Sequence, residues 1–133
     1  MIVVDTNIIA YLVILGDKTP LAERVFIFDP DWAAPRLWRS EMQNLLSLYL
    51  RRSEMNITDA KLVMQRAEML VAENEFGVDP ARVLELADAS GCTAYDCEFI
   101  ALAESLGVPL VTSDKKLLAA FPDIAVPLSA FSE

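Results

Sequence analysis

The sequence predicts an α/β fold, a short central parallel sheet flanked by helices on both faces. Short apolar runs, clearest at residues 2–4 and 109–112, are too brief for helices and show no alternation of polar positions, as expected of strands covered on both sides. Between them lie stretches whose apolar residues recur at helical spacing, and strands separated by helices pair in parallel. No repeat, low-complexity tract or linker interrupts the 133 residues. The expectation is one domain spanning 1–133, large enough to bury a core without cross-links.

Ile2, Val3 and Val4 make the first strand. Residues 7–15 follow as a strongly apolar helix, stopped by Gly16-Asp17-Lys18-Thr19-Pro20. Residues 21–28 read as a second helix, closed by Asp29-Pro30-Asp31, and residues 32–34 as a brief strand. Pro35 is suited to open the next helix, which runs to about Arg52. Thr58 is expected to cap a helix reaching about Glu75. Residues 76–78 read as a short strand, residues 80–91 as a helix that ends near Gly91, and residues 93–107 as one that ends at Gly107. After the strand at 109–112 come a short helix at 115–121 and a last strand at 124–126.

Eleven basic residues stand against twenty acidic ones, a net charge of −9. Nonspecific nucleic-acid binding draws on Lys and Arg contacts to phosphate. The balance therefore argues against a broadly adhesive nucleic-acid binder, though not against a localised basic path or a metal-bridged substrate. Hydrophobic residues make up 54% and the mean hydropathy is +0.35, which implies apolar surface meant for a partner. The longest uninterrupted apolar run, residues 8–15, falls well short of the roughly 20 residues of a membrane helix. The N-terminus lacks a basic segment, and Asp5 would spoil a signal peptide; the expectation is a cytoplasmic protein. Cys92 and Cys97, with no histidine in the chain, offer no zinc set and read as reduced thiols.

Four acids stand out. Asp5 closes the first strand, Asp114 follows the strand at 109–112, and Glu41 and Asp96 interrupt the apolar stripes of two helices. Asp5 and Asp114 each have a simpler reading as helix N-caps, and Thr93-x-x-Asp96 has the spacing of a capping box. Glu41 has no such reading. It shares a stripe with Leu37, Leu45 and Leu48, at helical spacing and expected to face the core. Ligands of open parallel sheets bind beyond the strands' carboxyl ends, where Asp5 and Asp114 lie. Four converging carboxylates without a protein cation suit a hard divalent ion, Mg²⁺ or Mn²⁺. Such an ion serves phosphodiester hydrolysis, and neither Cys97 nor Ser113 has an activating base for nucleophilic catalysis. No glycine-rich phosphate loop is present.

Val3-Val4-Asp5-Thr6-Asn7, Glu41, Thr93-Ala94-Tyr95-Asp96 with the helix that follows, and residues 108–114 up to Ser113-Asp114 together resemble a PIN-domain ribonuclease, most nearly the VapC-type toxins of toxin–antitoxin pairs. The likeness covers essentially the whole chain. It implies that Asp5, Glu41, Asp96 and Asp114 are the metal-binding and catalytic quartet, with Thr6, and more weakly Asn7, Thr112 and Ser113, as polar support. It also implies cleavage of RNA with Mg²⁺ or Mn²⁺, a homodimer and a cognate antitoxin. Asp5 and Asp96 would be principal ligands, with Glu41 and Asp114 completing the shell. Lys115 and Lys116, just past Asp114, are candidates to meet the RNA backbone, or else two solvated lysines. Two readings compete: a PIN-like module that binds RNA or protein without cutting, and a small phosphatase with Asp5 as phospho-acceptor. Against the phosphatase, Asn7 stands where a second acid is wanted.

Overall fold

The computed structural model describes residues 1–131. Five strands, β1 (Ile2–Val4), β2 (Trp32–Pro35), β3 (Glu75–Phe76), β4 (Leu110–Val111) and β5 (Ala125–Val126), form a parallel sheet in the order β3-β2-β1-β4-β5. Val3 is the pivot, in register with Ala33 on one side and Leu110 on the other. Successive residues Val3 and Val4, and Trp32, Ala33 and Ala34, are wholly buried. Since neighbouring side chains on a strand point to opposite faces, both faces are covered.

The helices are α1 (Thr6–Val13), α2 (Thr19–Phe28), α3 (Leu37–Arg51), α4 (Ile57–Val71), α5 (Pro80–Ser90), α6 (Ala94–Leu106) and α7 (Lys115–Ala120), with a 3₁₀ turn at Leu128–Phe131. α6 lies along β1 and β2, and α3 and α4 along β2. Their starts follow local chemistry: the side chains of Asp5, Asn56, Asp79, Thr93 and Asp114 each accept a backbone N–H of the turn they open. α5 and α6 end on Gly91 and Gly107 at φ 73° and 68°, a left-handed backbone that L side chains adopt only with strain. Among the described residues, no helix is long and apolar enough to cross a membrane.

Strand order decides where a site can form. The chain lays β2 and then β3 on one side of β1, then returns to lay β4 and β5 on the other. The reversal falls between β1 and β4, and such switch points leave a crevice beyond the strands' carboxyl ends.

Several elements differ from expectation. Pro35 is the last residue of β2 rather than the opening of a helix, and α3 begins at Leu37 without a side-chain cap. Proline at a strand end loses no ladder bond. Asn56 displaces Thr58 as the cap of α4, and that helix stops at Val71, so that Glu75 is free to pair as β3. The strand expected at 76–78 shrinks to Glu75–Phe76, and α1 stops at Val13 and leaves Leu15 outside it. The core face of α3 is Trp38, Met42 and Leu46, one residue round from the stripe containing Glu41. That stripe is the helix's border toward the crevice rather than its buried seam.

Candidate metal centre

Four elements deliver acids to the crevice. Asp5 follows β1 directly, and Asp114 lies three residues past β4. α3 leaves the carboxyl end of β2 and carries Glu41 just over one turn in. α6 precedes β4 and so runs antiparallel to it, which returns its first turn, with Asp96, to the same edge. Asp5, Glu41, Asp96 and Asp114 line one cavity of about 280 Å³, with Thr6, Asn7, Asn44, Leu45, Leu48, Phe99 and Leu117 completing its wall.

The acids are fastened by neutral groups. Asp5 is buried; its Oδ1 accepts the amide of Ile8 at 3.2 Å and its Oδ2 the hydroxyl of Thr112. The Thr112 hydroxyl in turn accepts the amide of Asp114 at 3.0 Å, so that one threonine ties the ends of β1 and β4 together. Thr6 donates to Glu41 Oε1 at 2.6 Å. Asp114 caps α7 by accepting the amides of Lys116 and Leu117 through Oδ1. The amide of Asp96 donates to Thr93 at 3.1 Å, while among the described residues no bond returns from its carboxylate to the cap. That is half a capping box, and the Asp96 carboxylate is left to the cavity. None of the four acids takes part in an ion pair among the described residues.

Asp5 and Glu41 resist ionisation, chiefly because they are buried. Burial pushes Asp5 up to about 6 against the help of Thr112 and Ile8, and the charges of Asp114 and Glu41 add to the rise. Burial also raises Glu41, opposed by Thr6 and reinforced by Asp96 and Glu98. Glu98, itself raised by burial and passed over in the sequence, adds the smallest contribution to the rise of Glu41 and lines a different cavity, with Val78, Pro80 and Val83.

Oxygen donors of this hardness fit Mg²⁺ or Mn²⁺. Among the described residues no three acidic, His or Cys side chains stand close enough to form a ready-made cage. A hydrated ion needs no cage, since Mg²⁺ keeps several waters and takes only one or two carboxylates directly. The spaced carboxylates and the cavity between them suit that mode.

The other candidate residues divide. Thr6 and Thr112 touch the acids, and Asn7 lies exposed on the cavity wall. The Ser113 hydroxyl turns away to the Tyr11 hydroxyl at 3.2 Å. Lys115 is exposed, whereas the Lys116 ammonium donates to the Gly91 carbonyl at 3.2 Å, at the end of α5. Lys116 is thus a strut between α5 and α7.

The PIN-domain family model matches residues 2–124. Ribonuclease VapC3 of Pyrobaculum aerophilum is 30% identical over 131 residues, 95% of this chain and 98% of that protein. The crystal structure of PAE2754 from Pyrobaculum aerophilum is similar at TM-score 0.77 and 23% identity, covering 96% of this chain and 90% of that one. FitAcB from Neisseria gonorrhoeae is similar at TM-score 0.71 and 18% identity, covering 96% and 98%. A toxin–antitoxin complex from Klebsiella pneumoniae gives 0.67 and 17%, with the same coverage. At these identities the structures speak for the fold, and the sequence match speaks for descent. The chain belongs to the PIN-domain family.

Proposed function

We propose that this protein is a Mg²⁺- or Mn²⁺-dependent endoribonuclease, the toxin of a VapBC-type toxin–antitoxin pair. The observation that carries the reading is a quartet of carboxylates, Asp5, Glu41, Asp96 and Asp114, around one cavity without a protein cation. Its membership of the PIN family and its likeness to a ribonuclease VapC3 support it. The antitoxin partner draws support from a structural neighbour described as a toxin–antitoxin complex, and from FitAB bound to DNA.

Asp5 and Asp96 serve as principal ligands. Asp5 is preorganised by two hydrogen bonds that hold both of its oxygens. Glu41, held by Thr6, and Asp114, held over the first turn of α7, would complete the ion's shell and hold a water beside it. The bound ion would supply positive charge to a phosphate oxygen and acidify a water beside it. Lys115, exposed next to Asp114, is placed to meet the RNA backbone. RNA should be cut in Mg²⁺ or Mn²⁺ and not in EDTA, and Ca²⁺ should support little cleavage because its larger, looser sphere positions water less well. A protein that bound RNA in Mg²⁺ without cutting it would be the binding module instead.

The active form in this reading is a homodimer. Ile27 and Phe28, at the end of α2, are 81% and 74% exposed. Adjacent large apolar side chains this exposed mark an interface. Light scattering at micromolar concentration should give twice the chain mass of 14.7 kDa, and a monomer would refute the dimer.

A further inference from the structure

A second cavity of about 270 Å³ adjoins the first, sharing Asn7 and Leu45 with it. Its wall is largely apolar and aromatic, with Tyr11 from α1 and Ile14, Leu15 and Asp17 from the turn after it facing Leu45 and Tyr49 from α3. Lys18 closes one end, its ammonium 5.8 Å from the centre of the Tyr11 ring. The turn carrying Lys18 is held in place: the Thr19 hydroxyl donates to the Tyr11 carbonyl at 2.7 Å and accepts the amide of Gly16 at 3.0 Å. The Tyr11 hydroxyl reaches Ser113, next to Asp114. Tyr11 lines the second cavity and not the first, and the Tyr49 hydroxyl has no hydrogen-bond partner among the described residues.

We propose that this groove is a base-stacking subsite for single-stranded RNA, in which Tyr49 and Tyr11 seat a nucleotide flanking the one cut and Lys18 meets its phosphate. The inference rests on the ribonuclease reading and deepens it. With a net charge of −9, RNA affinity drawn from displaced counterions is confined to local contacts such as Lys18. Stacking is the other general source of single-strand affinity, and it tolerates any sequence because every base has a π-face. A paired helix keeps its bases stacked on each other and cannot use such a groove, so the subsite also confers preference for single strands. Continuity with the four-acid cavity places one strand across both.

The test uses a short single-stranded oligoribonucleotide carrying 2-aminopurine, whose fluorescence falls when it stacks, with Tyr49→Phe and Tyr49→Leu in the full chain. In Ca²⁺ the wild type and Tyr49→Phe should quench the probe, and Tyr49→Leu should bind roughly ten- to a hundredfold more weakly, the range of one lost stack. In Mg²⁺ that loss should fall on KM, and the salt dependence of binding should be unchanged. Equal quenching and KM in Tyr49→Leu and wild type would overturn the proposal. So would a wild type that cuts the probe without quenching it, which would assign the groove to a protein segment. Quenching without cleavage in any metal would instead remove the hydrolytic reading and leave the groove as a nucleic-acid site.

Discussion

Asp5→Asn should lower RNA cleavage by roughly a thousandfold or more, while the protein folds as before. The loss follows from the role assigned to the metal, whose charge stabilisation is worth several kcal/mol at about 1.4 kcal/mol per factor of ten. The intact fold follows from geometry. Asn retains an oxygen for the Ile8 amide that Asp5 Oδ1 now accepts, and Asn ranks with Asp as a helix cap. Circular dichroism and thermal melting in EDTA should match or exceed the wild type, because the substitution removes a buried charge among like charges. Cleavage that survives in Asp5→Asn, or persists in EDTA, would overturn the mechanism. A variant that fails to fold would make Asp5 a structural cap first.

The metal-free protein should become more stable as pH falls from 7 toward 5. Asp5 is held at about 6 in the folded chain against an ordinary 3.8, so between those values the native state binds more protons than the unfolded one. The stabilisation is fully present below the unfolded value and is lost as pH rises through the folded one. It amounts to about 3 kcal/mol across the window, with roughly half gained by pH 5. Burial moves Glu41 and Glu98 in the same direction. Hydrogen bonds from Arg39 and Arg82 pull Glu75 and Glu104 the other way, but those bridges are partly exposed and count for little. Urea midpoints in EDTA at pH 7 and 5 should therefore rise for the wild type and rise less for Asp5→Asn. Equal pH slopes in the two proteins would show that Asp5 is not the group responsible.

Much of the fold was legible in the sequence because apolar runs and caps act locally. β1, the helix over residues 80–91 and the glycine stops at Gly91 and Gly107 follow from a few adjacent residues. The elements that moved depend on partners far along the chain. Glu75–Phe76 is a strand because Ala34 and Pro35 lie in register beside it, which no window around residue 75 contains. Glu41 was recognisable as an acid without a capping role, yet the face it occupies was set by Trp38 and Met42, which are wholly buried on the side of α3 that packs against the core. The three acids with capping readings do form caps in part, Asp5 and Asp114 with their own carboxylates. Capping and the cavity are compatible because each carboxylate has a second oxygen or a second face. Tyr49 was missed for the same reason: its significance comes from α1 and the turn after it, packed beside it, not from its neighbours in sequence.

Asp5 hangs from the most protected strand of the molecule. β1 is paired on both sides, and the amide of Asp5 continues its ladder to the carbonyl of Val111, whereas the outermost strands β3 and β5 have two residues each. Hydrogen exchange at the sheet margins should report local fraying, while exchange at Val4 and Asp5 should require opening of the whole chain. The acidic crevice is thereby insulated from the fluctuations that loosen the edges. Damage to it by heat or denaturant should coincide with global unfolding rather than precede it.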